Sequence, residues 1–102
     1  SISHSSACAQ LCVCQSEQDA IDHFTEGDIL VIRQTSNALL AQIRKSSGLV
    51  LEDDDLNGHG AIAAMSLNLP VIIGAENATK ILKSGAVVTL DADRGVVSCN
   101  HT

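Results

Sequence analysis

Aromatic side chains are almost missing from this chain of 102 residues: Phe24 is the only one, and there is neither Trp nor Tyr. Recognition of single-stranded nucleic acid rests largely on aromatic stacking platforms, which are therefore absent. Basic residues are also scarce, six Lys and Arg against twelve Asp and Glu, for a net charge of −6. No cationic stripe is available to displace counterions from a polyanion, so nucleic acid is excluded as a partner. No apolar run approaches the ~20 residues of a membrane-spanning helix, and no signal-peptide pattern opens the chain. The expectation is a cytoplasmic protein with no membrane partner. The four cysteines, Cys8, Cys12, Cys14 and Cys99, follow a C-x3-C-x-C spacing with one distant member, not the paired C-x-x-C of zinc sites. They read as reduced, partly buried thiols, with a disulfide or a metal site as the alternatives. The first residue is Ser rather than Met, which is what a fragment of a longer protein would show.

What remains is 45% hydrophobic and 18% charged, the balance of one compact domain whose core is built from Val, Ile, Leu and Ala. Residues 8–15 alternate as a strand, with Ala9, Leu11 and Val13 on one face and Cys12 and Cys14 on the other. Ser16-Glu-Gln-Asp19 has the form of a capping box, opening a helix to about Phe24 that buries Ala20, Ile21 and Phe24. Ile29–Ile32 is continuously apolar, the mark of a strand covered on both faces. A helix from Ser36 or Asn37 turns Leu39, Leu40 and Ile43 inward and stops at Gly48. Leu49–Leu51 is a short buried strand, and His59–Leu67, rich in Gly60, Ala61, Ala63 and Ala64, is a helix packed close to its sheet. Val71–Ile73 is a strand, Asn77–Lys83 a helix closed by Gly85, and Val87–Leu90 with Val96–Cys99 a hairpin about the Asp91–Gly95 turn. Alternating strands and helices with a terminal hairpin indicate a single α/β domain with a largely parallel sheet.

The stretch Glu52–Gly60, EDDDLNGHG, carries two motifs at once. From Asp53 it reads D-x-D-x-N-G, the start of a calcium loop, but the twelfth position is Ala64 where a bidentate Glu is required. The preceding residues also read as strand rather than helix, so no metal site of this kind is expected. Weak attraction of a hard cation by Glu52–Asp55, or a plain solvated acidic loop, stays open. His59 stands where a loop enters a helix, a place whose free N–H groups favour anions. A neutral imidazole there can accept a phosphoryl group covalently, or it can be a loop histidine without a role.

Three stretches together resemble a known family: Glu26-Gly-Asp-Ile-Leu-Val31, the His59 region running through Leu69-Pro-Val-Ile-Ile-Gly74, and Glu76-Asn-Ala-Thr79 with Gly85 and Val88-Thr-Leu-Asp91. Over roughly residues 26–98 the chain resembles the phosphohistidine swivelling domain of phosphoenolpyruvate-utilising enzymes. It looks closest to the extra C-terminal domain of some pyruvate kinases. The resemblance implies a compact β/β/α swivelling domain spanning 1–102, the C-terminal piece of a longer pyruvate kinase. It also implies a parent reaction, phosphoenolpyruvate and ADP to pyruvate and ATP, with Mg and K serving the parent and no cofactor in this domain. Partners would be the other domains or subunits of that parent, homo-oligomeric at full length.

The family's loop has the form E-G-G-L-T-S-H-A-A. Here His59, Leu56 and Ala61 keep their places, but the glycines are Asp54 and Asp55, the Thr-Ser pair is Asn57-Gly58, and the first alanine is Gly60. Glycines let backbone N–H groups approach phosphate oxygens. Asp54 and Asp55 bring like charge instead, and at about 6 Å each unit pair costs roughly 3 kcal/mol at an effective dielectric near 20. Asn57 can still cap the helix. The expectation is therefore a non-catalytic module for assembly or regulation, with His59 a phosphoryl acceptor in position but not in practice. The alternatives are a working His59 carrier that swings between donor and acceptor sites, and a free-standing interaction domain using the acidic loop as its contact surface. No P-loop, lysine-rich phosphate site or metal–substrate cage accompanies them. The cysteine-rich first strand has no counterpart in the family.

Overall fold

The structure, a computed structural model, describes residues 6–99. The elements in order are β1 (Ser6–Val13), α1 (Glu17–His23), β2 (Ile29–Ile32), a 3-10 turn (Asn37–Leu39) running into α2 (Leu40–Lys45), and β3 (Gly48–Leu51). Then follow α3 (His59–Ser66), β4 (Val71–Ile72), α4 (Ala78–Ile81), β5 (Val87–Asp91) and β6 (Val96–Cys99). One six-stranded sheet has the order β4-β3-β2-β1-β5-β6. Strands β1 to β4 pair in parallel, β5 joins β1 antiparallel, and β6 completes the hairpin. The expected single α/β domain with a largely parallel sheet and a C-terminal hairpin is what forms. No described helix is long and apolar enough to cross a membrane.

The sheet has apolar groups on both faces. On one, Cys12, Cys14, Leu30, Ile32, Leu49 and Leu51 pack against Ala20 of α1, Leu39, Ile43 of α2 and Ala64 of α3. On the other, Leu11, Ile29, Val31, Val50 and Ile72 meet Ala78 of α4 together with Val88 and Leu90 of β5. Strands β2 and β3 are therefore buried at every position, as an uninterrupted apolar run requires. The period-2 reading of β1 holds, with Leu11 on one face and Cys12 and Cys14 on the other. The two sulfurs lie 3.6 Å apart. Burial raises both thiols above the ordinary range, Cys14 to about 12, helped there by its contact with Cys12. The side chain of Cys99 lies outside the described residues.

Local signals set most helix ends. The Ser16 hydroxyl accepts from the Asp19 N–H at 3.1 Å, and the Asp19 carboxylate reaches back to the Gln15 N–H at 2.9 Å. This is the expected capping box displaced by one residue on its return bond. Helix α3 ends in a Schellman motif: Asn68 is left-handed (φ 57°), Leu69 N–H donates to Ala64 C=O and Asn68 N–H to Met65 C=O.

Four expectations need correction. Ile21 is not buried; it is 47% exposed, because Ala20 and Phe24 occupy the inward stripe of so short a helix. Leu40 is only partly buried and lines a groove. Helix α2 ends before Ser46, whose N–H and hydroxyl both donate to Ile43 C=O, and does not run to Gly48. Gly48 instead opens β3, where a Cβ would stand 2.8 Å from Leu90 Cδ2 and 2.9 Å from Pro70 O. Helix α4 is only Ala78–Ile81, shorter than the Asn77–Lys83 expected.

Candidate functional site

Four parallel strands deliver four loops to one edge of the sheet, beyond the carboxyl ends of β1 to β4. Ligands of open α/β sheets gather at such an edge. The β3–α3 loop carries the acidic stretch, the β2 loop brings Arg33 to Asn37, and the β4–α4 loop brings Gly74 to Asn77.

The acidic loop is tied down through its backbone. Asp53 N–H donates to Arg33 C=O at 3.0 Å, and Asp53 C=O accepts from Gly74 N–H at 2.9 Å. Its carboxylates then turn inward on the loop itself. Asp53 Oδ1 accepts from Asp55 N–H at 3.2 Å, Asp55 Oδ1 from Asn57 N–H at 2.9 Å, and Asp55 C=O from Gly58 N–H at 3.0 Å. Three loop N–H groups, those of Asp55, Asn57 and Gly58, are thus already satisfied within the loop. Glu52 has a different task. Its Oε2 accepts from the Thr79 hydroxyl at 2.7 Å and the Thr79 N–H at 2.8 Å. These bonds hold its carboxyl below the usual range, the hydroxyl contributing most. They also cap α4, whose own N-cap Asn77 is left-handed and gives no side-chain bond.

His59 is the first residue of α3. The N-cap is Gly58, with no side-chain cap bond, so Asn57 does not cap the helix; its N–H is spent on Asp55. The imidazole is held on both sides: Nδ1 lies 2.9 Å from Thr35 Oγ1, and Nε2 lies 2.9 Å from Asn37 Oδ1. Thr35 is buried at 8% exposure, and Gly60 makes room for it. A Cβ at Gly60 would stand 2.9 Å from Thr35 Oγ1 and 2.6 Å from Leu51 Cδ1. A cavity of about 200 Å³ beside the ring is lined by Thr35, Asp53, Asp55, Gly58, His59 and Gly60. On the other side of His59 a groove of about 390 Å³ runs between α2 and α3, past Leu40, Arg44, Ile62, Ala63 and Leu67.

The structure therefore brings His59, Asp55, Gly58 and Gly60 together. Asp54 is exposed and lies against Gly74 instead; its place in the cavity is taken by Asp53. Sequence reasoning missed Thr35 and Asn37. The available signal was the polar run Arg33-Gln-Thr-Ser-Asn37 immediately beyond a fully buried strand. Among the described residues no three His, Cys, Asp or Glu side chains converge to hold a metal ion.

Residues 24–95 match the family described as PEP-utilising enzyme, mobile domain. The chain is 38% identical over 96 residues to a pyruvate kinase of Bacillus licheniformis, covering 94% of this chain and 16% of that protein. It is 38% identical over 74 residues to a probable phosphoenolpyruvate synthase of Staphylothermus marinus, covering 72% of this chain and 9% of that protein. Among solved structures, an Enzyme I solution structure superposes with a TM-score of 0.61 at 26% identity, over 76% of this chain and 32% of that chain. The chain thus spans about a sixth of the length of the first of these relatives.

Proposed function

Since the chain belongs to the PEP-utilising enzyme mobile-domain family, we propose that it is a non-catalytic module of a pyruvate kinase, acting in assembly or regulation with a degenerate phosphohistidine loop. Under this reading the parent converts phosphoenolpyruvate and ADP to pyruvate and ATP. Mg and K belong to the parent's own active site, and the module's partners are the parent's other domains or subunits. One observation carries the proposal: the Asp53 and Asp55 carboxylates occupy the Asp55 and Asn57 N–H groups of the loop, and both nitrogens of His59 are already hydrogen-bonded. A phosphoryl group entering the cavity would meet the two residues that carry these carboxylates, Asp53 and Asp55. The degeneracy thus lies in the lining of the site, while its scaffold is intact.

The carrier reading has one observation in its favour, the seat of His59 at the first position of α3 on the ligand-binding edge of the sheet. Incubation with phosphoenolpyruvate and the donor domains of a phosphoenolpyruvate synthase separates the two. A non-carrier acquires no acid-labile phosphate; label that disappears in His59→Ala would establish the carrier. For the module itself, deletion from the parent kinase should leave turnover in place and change subunit assembly or effector response. Loss of all turnover with assembly unaltered would overturn it.

A further inference from the structure

Asn57-Gly58 is the only Asn-Gly pair in the sequence. Asn57 is exposed, and among the described residues no hydrogen bond holds its side-chain amide. Its backbone N–H is held by Asp55 Oδ1 at 2.9 Å, which fixes the main chain and leaves the side chain free to turn. Gly58 has no Cβ to shield its nitrogen from the amide carbon of the residue before it. A single bond engages that nitrogen, from Gly58 N–H to Asp55 C=O at 3.0 Å. Asp55 is itself exposed, so water takes the place of Gly58 whenever the turn opens. We propose that Asn57-Gly58 is a self-modification site, at which Asn57 loses its amide nitrogen and becomes an aspartyl or isoaspartyl residue. The inference does not depend on whether His59 carries a phosphoryl group.

Three other asparagines give the contrast. Asn37, Asn68 and Asn77 are all exposed, so access of water does not set them apart from Asn57. They are followed by Ala38, Leu69 and Ala78, each with a Cβ that crowds the nitrogen that would have to attack. At Asn57 the Gly58 nitrogen attacks the side-chain Cγ. The N–Cγ bond forms, the Cγ–Nδ2 bond breaks, and Nδ2 leaves as ammonia with the proton that the Gly58 nitrogen gives up. One water then opens the resulting five-membered imide. Opening at Cγ leaves an aspartyl residue; opening at the main-chain carbonyl carbon leaves an isoaspartyl residue, whose chain runs through Cβ and Cγ. Either product adds a negative charge beside Asp53–Asp55 in a chain already at −6. The isoaspartyl form also adds one carbon to the backbone directly before Gly58, the N-cap of α3. His59 comes next, so its contacts with Thr35 and Asn37, each 2.9 Å, move with it.

The folded chain, held in mildly alkaline buffer and mapped by fragmentation mass spectrometry, reads each asparagine separately. Conversion at Asn57 should exceed that at Asn37, Asn68 and Asn77 by about tenfold or more, equivalent to about 1.4 kcal/mol in the barrier. A methyltransferase specific for isoaspartyl residues, with radiolabelled S-adenosylmethionine, should label the aged chain and not the fresh one. His59 ring resonances should split as the isoaspartyl form accumulates. Gly58→Ala should slow the conversion, but its Cβ would stand 3.0 Å from Asp55 O. Asn57→Gln leaves that glycine in place and should abolish the methyl label. A rate at Asn57 within about threefold of that at Asn68 would overturn the proposal, since the missing Cβ would then be worth less than about 0.7 kcal/mol. Methyl label that persists undiminished in Asn57→Gln would overturn it as well.

Discussion

Replacing Gly60 by Ala moves the loop toward the alanine of the family form, and on helix propensity alone should stabilise α3 by up to about 1 kcal/mol. The packing around this position predicts the reverse. The new methyl carbon would stand 2.6 Å from Leu51 Cδ1 and 2.9 Å from Thr35 Oγ1, against a comfortable carbon–carbon separation of about 3.5–4.0 Å. Leu51 and Thr35 are 3% and 8% exposed, so neither can swing into solvent to relieve the overlap. Overpacking of this kind costs about 1–3 kcal/mol, which leaves a net loss of roughly 1–2 kcal/mol. With a urea slope near 1–1.5 kcal/mol per molar for a small domain, the unfolding midpoint should fall by about 1 M. Leu51→Val removes the crowding Cδ1, so the double variant should lose less than the sum of its parts, with a coupling of at least about 0.5 kcal/mol. A midpoint that is unchanged or raised in Gly60→Ala, or strict additivity with Leu51→Val, would refute the close-approach argument. His59 ring resonances should shift as well, since Thr35 has to retreat.

Two further outcomes concern ionisation. The Glu52 carboxyl is held below its usual range by Thr79, so its cap on α4 is present above the unfolded carboxyl range and lost as pH falls through the lower folded value. Glu52→Ala should cost about 0.5–2 kcal/mol at pH 7, as for a lost N-cap; a gap undiminished at pH 2–3 would show that charge on Glu52 is not the source. Cys14 runs the other way, with a folded value of about 12 that keeps the thiol neutral while the unfolded chain ionises near 8.5. Its stabilising effect is complete below that range and declines between about pH 9 and 12, by up to about 1.4 kcal/mol per unit. Cys14→Ala should flatten this alkaline decline, and in the native protein Ellman's reagent should reach Cys12 and Cys14 only on unfolding.

Much of the fold was legible because its signals are local. The alternation of Leu11 against Cys12 and Cys14 follows from the two-residue period of a strand, and the Ile29–Ile32 run demanded cover on both faces. Ser16 and Asp19 marked the start of α1 as their chemistry requires. The misreadings arose where a residue type serves two ends. Gly48 suits a helix terminus, but only the approach of Leu90 and Pro70, some forty and twenty residues away in sequence, decides that it must open β3. At the site, His59 and its acidic neighbours could be found by spacing. Thr35 and Asn37 could not, because they precede His59 by 24 and 22 residues and reach it only when β2 and β3 align in parallel.

The sequence by itself determined the class of fold, the family, and the replacement of phosphate-friendly glycines by acids, since all three reside in the order and identity of residues. Asp53 and Asp55 make local bonds to N–H groups two residues on, but tertiary structure alone decided that Glu52 caps α4 and that Asp54 lies against Gly74. It alone placed both nitrogens of His59 in hydrogen bonds. A side chain's donors and acceptors are written in its formula, but which of them is left free depends on what the parallel sheet brings within 3 Å.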